Sequence, residues 1–183
     1  MPAPGRVELL CHSAVPAPDR LRLHVSFALS PDNVLSLSYS IDGALDQIRI
    51  PEPRAAERAD ELWKHTCFEA FLGLDAAAAY HEFNFAPSGA WAIYRFCTHR
   101  DGMTAVTPAQ APQIAVRREA QRLQLDTAVA LADLVGTAAA VRLRLGLAAV
   151  VEGADGALSY WALRHATAKP DFHHRENFAI RLP

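Results

Sequence analysis

The chain has too few cysteines, too little surplus charge and no unbroken apolar run long enough for several large classes of protein. Its three cysteines in 183 residues are an odd number, and Cys67 and Cys97 lie inside apolar segments, where a reduced thiol behaves as a small hydrophobe. A disulfide framework is therefore not expected. The formal net charge of −2 leaves no basic footprint. Arg117-Arg118 and Arg142/Arg144 are too sparse to track a phosphate backbone, so no nucleic-acid partner is expected. Leu125 to Val151 is mostly apolar but is broken by Asp126, Asp133, Arg142 and Arg144, short of the roughly 20 uninterrupted residues of a spanning helix. No membrane partner is expected either. Met1 to Glu8 has no basic segment followed by an apolar run, the mark of a secretory signal, so the expected location is cytoplasmic.

Chemical motifs are missing as well. No Gly-rich phosphate loop occurs, and Ser88 in Pro87-Ser88-Gly89-Ala90 lacks the Gly-x-Ser-x-Gly elbow. No internal repeat or linker divides the chain, and its length suits one core, so residues 1–183 read as a single domain. A hydrophobic share of 51% against 21% charged residues fits a folded protein rather than a disordered one.

What is present is alternation. In Arg20 to Leu29 the odd positions Leu21, Leu23, Val25, Phe27 and Leu29 are apolar, while Arg22, His24 and Ser26 are polar. Val34 to Ile41 repeats this with Leu35, Leu37, Tyr39 and Ile41 opposing three serines, and Pro31-Asp32-Asn33 turns between the two segments. Such a pair is a hairpin with one wet face. Leu45 to Ile50, Ile114 to Arg118, Arg122 to Val129, Leu158 to Leu163 and Phe178 to Leu182 read as further strands. Val141 to Val151, apolar on both parities apart from two arginines, reads as a central buried one. Leu131 to Val135 is a helical turn, and Arg54 to Leu62, rich in Ala and Glu, could hold another. About ten strands with one or two short helical turns predict an all-β, antiparallel β-sandwich of jelly-roll type.

The stretch from Trp63 to Phe96 departs from an ordinary sandwich core. Read as extended, Trp63 to Leu72 sends Phe68, Ala70 and Leu72 to one face and Trp63, His65, Cys67, Glu69 and Phe71 to the other. Glu69 then lies between apolar neighbours, where an unpaired carboxylate costs several kcal/mol, so a partner or a ligand must meet it. Tyr80 to Phe85 and Ala90 to Phe96 flank the turn Pro87-Ser88-Gly89. If Ser88-Gly89 is the two-residue loop, Phe85 pairs with Ala92, Phe83 with Tyr94 and Glu82 with Arg95. Glu82, Asn84, Trp91 and Arg95 then share the polar face. A loop one residue longer would set Phe83 against Ile93, Phe85 against Trp91 and His81 beside Arg95. The first register is preferred.

These residues carry a resemblance. Leu62 to Leu72, Tyr80 to Trp91, a strand ending at Trp161 and the tail Lys169-Pro170-Asp171-Phe172-His173 resemble the DOMON-like, type 9 carbohydrate-binding-module group of β-sandwiches, whose members bind sugars or haem. The resemblance covers the chain from about Trp63 onward through short motifs. It implies a ring-stacking role for Trp63 and sugar hydroxyl contacts for Glu69 and Arg95. It also implies a second aromatic from the C-terminal loop, where this chain offers Phe172 or a histidine such as His173 in place of Trp. Sugars present C–H faces to aromatic rings and hydroxyls to carboxylates and guanidinium groups. The candidate ligand-binding set is accordingly Trp63, His65, Glu69, Glu82, Asn84, Arg95, Phe172 and His173, with a small molecule, such as a sugar, as the expected partner.

Other readings stand beside this one. Trp63 could cap a core edge, Glu69 could form a structural ion pair with Arg95, and Trp91 and Trp161 read as core. Zinc would draw on His65, Glu69, His165, Asp171, His173 and His174, in a metal-dependent enzyme or a metal-binding protein, yet the tight spacing of zinc enzymes is missing. Haem would need Met103 with a histidine, and Met103 follows the turn Asp101-Gly102. No cofactor is therefore expected. A sheet face that meets another protein is the remaining alternative.

Overall fold

The computed structural model describes residues 5–18, 20–135 and 142–182. Among the described residues twelve strands form in chain order: β1 (Gly5–Cys11), β2 (Arg22–Leu29), β3 (Val34–Asp42), β4 (Cys67–Leu74), β5 (Tyr80–Phe85), β6 (Trp91–Phe96), β7 (Thr104–Ala105), β8 (Gln113–Arg118), β9 (Arg122–Ala130), β10 (Leu143–Glu152), β11 (Leu158–Ala162) and β12 (Ile180–Leu182). They pair antiparallel in the order β7-β6-β5-β4-β10-β11-β1-β2-β3-β9-β8, with β12 beside β10. β1 joins the two halves: Gly5 to Leu9 pair with β2, and Leu10 and Cys11 pair with β11. The curled sheet thereby folds over into the two facing layers of a sandwich, the all-β architecture that the alternation predicts.

Between the two layers, Leu23, Val25, Leu35, Leu37, Tyr39, Ile41, Leu123 and Leu125 meet Phe68, Ala70, Leu72, Phe83, Phe85, Ile93, Leu145 and Leu147. Tyr39 binds the layers together. Its ring stacks on Phe68 at 4.9 Å between centroids, and its hydroxyl donates to the Glu69 carbonyl at 2.8 Å. β10 is apolar on both parities because both of its faces are covered. Leu143, Leu145, Leu147, Ala149 and Val151 enter this core, whereas Ala148 and Val150 enter a second apolar cluster on the outer face with Phe71, Tyr80, Tyr94, Phe96, Phe172 and Phe178. Gly146 permits that second layer: a Cβ there would lie 3.0 Å from Phe178 Cδ1 and 3.1 Å from the Asn177 carbonyl.

Several sequence expectations change. Leu45 to Ile50 is not a strand; Leu45–Gln47 form a 3-10 turn, and Ile48 bridges Gly153. Arg54 to Leu62 forms no helix. Its backbone hydrogen-bonds to the β5–β6 hairpin instead, Arg54 N to Ser88 O, Trp91 N to Glu57 O and Ala59 N to Trp91 O, and these contacts override a modest helix propensity. The extended run expected from Trp63 starts only at Cys67, because Leu62–Lys64 make a 3-10 turn. The expected helical turn is Ala132–Val135. Val141, the expected start of the central strand, lies outside the described residues.

The preferred hairpin register is also corrected. Phe85 faces Trp91, Phe83 faces Ile93, Glu82 faces Tyr94 and His81 faces Arg95. The loop is three residues long, closed by Ala86 and Ala90, with Gly89 N donating to Ala86 O and Gly89 at a φ of +92°. A type I turn followed by a left-handed glycine is the usual three-residue hairpin loop. The extra residue sends Trp91 into the core, 5% exposed, and puts Arg95 on the opposite sheet face from Glu82.

Candidate functional site

The site lies on the outer face of β4, β5 and β6, the face that an ordinary sandwich leaves to water. Glu69 stands opposite Asn84, and Glu82 stands opposite Phe71 on one side and Tyr94 on the other. Two pieces of chain cover this face. The turn at Leu62–Lys64 brings Trp63 edge-on to Tyr94, with centroids 5.7 Å apart. Tyr94 is itself held, its hydroxyl donating to Asp60 Oδ1 at 2.6 Å while Arg58 grips both oxygens of Asp60. From the other side the segment from Pro170 to Phe178 lies down on Phe71, with Phe172, His173 and Phe178 all in aromatic contact with it.

Between these walls is a cavity of about 530 Å3, lined among others by Trp63, Lys64, Glu69, Glu82, Arg100 and His173. Its size falls within the roughly 300–1,000 Å3 of small-ligand pockets. Phe96, Tyr160 and Phe172 add aromatic wall. A second, more open hollow of about 600 Å3 lies on the outer face of the other layer; Ser26, Ser36, Ser38, Ala115 and Ala128 line it, and Asp126, its one charged lining residue, is paired with Arg117. The titratable groups converge in the first.

Glu69 is 3% exposed, and its Oε1 finds no hydrogen-bond partner among the described residues. Burial, and then the carboxylate of Glu82 nearby, pushes its pKa well above the usual range. Glu82 is raised to about 7 by burial, against the pull of a 2.7 Å hydrogen bond that its Oε1 accepts from Asn84 Nδ2. Asn84 Oδ1 in turn lies 3.6 Å from the Cys67 thiol. Two buried carboxyls on adjacent strands cannot both ionise cheaply, so at neutral pH the pair retains a proton.

His173 is lowered to about 4, first by burial and then by the Arg100 guanidinium. It is therefore neutral, and its hydrogen bonds settle its tautomer. The Arg100 backbone N–H donates to the Tyr80 hydroxyl at 3.1 Å, leaving that hydroxyl to donate to His173 Nδ1 at 2.7 Å. The ring proton is thus on Nε2, which points toward Glu82 Oε2 at 3.6 Å. Arg100 is anchored from the C-terminal segment by Asp171, whose Oδ1 accepts its Nε at 3.0 Å, while His99 meets Oδ2 at 2.8 Å.

The expected set is thus divided. Trp63, Glu69, Glu82, Phe172 and His173 share the cavity, and Asn84 lies beneath it on Glu82. His65 is exposed instead at the end of the 3-10 turn, its Nδ1 2.7 Å from Glu152 Oε2, where Arg49 also pairs. Arg95 is exposed on the opposite side, beside His81. Arg100, Lys64 and Tyr160 were missed. Arg100 belongs to the Thr98–Asp101 turn after β6 and has a φ of 55°; an Arg next to Asp-Gly in sequence gives no sign of a partner 71 residues away. His99 lies 6.5 Å from both His173 and His174 between ring centroids, yet among the described residues no three His, Cys, Asp or Glu side chains are placed to hold a metal ion. Met103 is at the rim of the cavity, 54% exposed.

A β-sandwich with an aromatic-walled, carboxylate-floored cavity on an outer sheet face is the class that fold and site define. No family model matches the chain, and no curated protein matches it in sequence. Solved structures do match in fold. A "putative carbohydrate-binding protein" from Bacteroides uniformis superimposes with a TM-score of 0.71 at 10% identity, over 94% of this chain and 83% of that one. A carbohydrate-binding module of family 9 from Caldicellulosiruptor kristjanssonii matches in its complexes with glucose (TM-score 0.50, 12% identity, 88% of this chain and 76% of that one) and with cellotriose (0.54, 11%, 88% and 74%). At these identities the likeness is one of fold. The matched folds include the carbohydrate-binding-module part of the resemblance seen in the sequence.

Proposed function

We propose that this protein is a non-catalytic binding module for a carbohydrate or sugar derivative, taken one ring at a time into the cavity beside Trp63. The observation that carries the reading is the carboxyl of Glu69, buried on the cavity floor without a partner of its own. A buried polar group left unsatisfied costs about 1–3 kcal/mol, and a ligand hydroxyl at that point would recover it. Trp63 supplies the ring on which a sugar C–H face stacks. Phe172 and Tyr160 replace the second tryptophan-like wall that the sequence lacks, and Arg100 replaces Arg95 as the guanidinium at the site. The fold shared with a module bound to glucose and to cellotriose supports the reading.

Isothermal titration calorimetry with glucose, cellobiose and cellotriose tests it. Saturable heat is expected with at least one of them, and Trp63→Ala is expected to weaken that binding by at least about 10-fold. Absence of binding to any of them, together with no chemical-shift change at the three tryptophan indoles, would remove the proposal.

A further inference from the structure

The charges lining the cavity are unequally committed. Lys64 Nζ is 2.7 Å from Glu61 Oε2, and Arg100 is 3.0 Å from Asp171 Oδ1, so both cations have partners within the protein. Glu69 has none at its buried Oε1, and Glu82 Oε2 has only the imidazole of His173 at 3.6 Å. The unspent capacity of the site is therefore for positive charge, and the rings of Trp63, Phe96, Tyr160 and Phe172 around it are surfaces to which an organic cation is also drawn.

We infer that the cavity selects a ligand carrying an ammonium group, an amino sugar over its neutral counterpart, and that Glu69 receives that ammonium. The inference rests on the carbohydrate reading and narrows it. Binding has a proton balance. The carboxyl pair holds a proton in the empty protein, so the ammonium displaces it: Glu69 leaves as carboxylate, ion-paired to the ligand, and the proton passes to the buffer. The groups that bear on Glu69 are Glu82 from β5 and Arg100 from the turn after β6, with His173 neutral above and Cys67 raised and protonated on its own strand. Affinity for an ammonium ligand therefore increases with pH for as long as Glu69 still has its proton to give up, until the amine itself deprotonates.

The test is calorimetry on the intact protein with glucose, glucosamine and cyclohexylamine at pH 6, in two buffers of different ionisation enthalpy. Glucosamine is expected to bind at least about 10-fold more tightly than glucose, in line with a hydrogen bond to a charged group. Its apparent enthalpy is expected to shift between buffers by an amount that reports proton release, whereas that of glucose does not. Glu69→Gln should erase the preference; the buffer shift on the wild-type protein needs no variant. Equal affinity for glucose and glucosamine, or no buffer shift, overturns the ammonium inference and leaves the carbohydrate reading. Cyclohexylamine bound with proton release while neither sugar binds overturns the carbohydrate reading and leaves the ammonium site. No binding by any of the three overturns both.

Discussion

Replacing Glu82 by Gln should make the protein more stable, and by an amount that depends on pH in a defined direction. Glutamine has the shape of the protonated acid and can still accept the hydrogen bond from Asn84. The folded-state pKa of Glu82 is raised from 4.5 to about 7, so between those values the native state holds a proton that the unfolded state has lost. Stability then falls as pH rises through that window, by roughly 3 kcal/mol in total at about 1.4 kcal/mol per pH unit. His173 acts in the opposite sense: lowered to about 4, it adds stability as pH rises from 4 to 6.5. His173 is present in wild type and variant alike, so its contribution largely cancels and the difference between them reads the carboxyl pair. The two proteins should have equal stability near pH 4 and diverge to roughly 3 kcal/mol in favour of Glu82→Gln by pH 8. Loss of the Glu82 charge also relieves Glu69, which adds to the gap in the same direction. Urea unfolding followed by tryptophan fluorescence, at half-unit steps from pH 4 to 8, reads it directly. A gap that does not vary with pH, or a variant less stable than wild type above pH 7, would refute the buried proton-sharing pair.

Trp63→Ala should weaken ligand binding by at least 10-fold, about 1.4 kcal/mol, with a small effect on thermal stability because the ring is only half-buried; calorimetry and a melting curve separate the two. Arg95→Ala should leave affinity unchanged within error, since the side chain is exposed on the far face of β6, and a clear loss of binding would show the hairpin register to be wrong. Phe178→Ala removes a fully buried ring from the outer cluster and should cost about 3–5 kcal/mol in urea unfolding. Hydrogen exchange in the same variant should rise first in the segment from Pro170 to Phe178.

Alternation made the fold readable where one side of a strand faces water. β2, β3 and β9 fall within a residue or two of their sequence reading because each has one polar parity. β10 was legible for the opposite reason, being apolar on both. β1 and β7 were not read: β1 divides its pairing between two sheets, and β7 is two residues long. Of the cavity, Glu69 stood out because a carboxylate among Cys67 and Phe71 is out of character for a core strand, whereas Trp63 was set beside it by a strand parity that does not extend through the 3-10 turn and by the family resemblance. One residue of loop length then decided Arg95, since a shift by one reverses every side chain of β6. Arg100 could not have been found from local pattern, because what fixes it is an ion pair with Asp171 and a bond from its own backbone to Tyr80. His65 was misassigned by extending the strand rule across a 3-10 turn.

The segment that ends at Phe178 has a bearing on how the protein is made. Synthesis runs from the amino end, so β4, ending at Leu74, and β6, ending at Phe96, emerge well before the stretch from Pro170 that roofs them. Phe172, His173 and Phe178 of that stretch pack on Phe71, and His173 stands over Glu82, so this part of the burial around the two carboxyls forms only after the stretch has left the ribosome. The cavity is thus completed late, when a mostly polar segment anchored by Phe172 and Phe178 docks on the strands made before it.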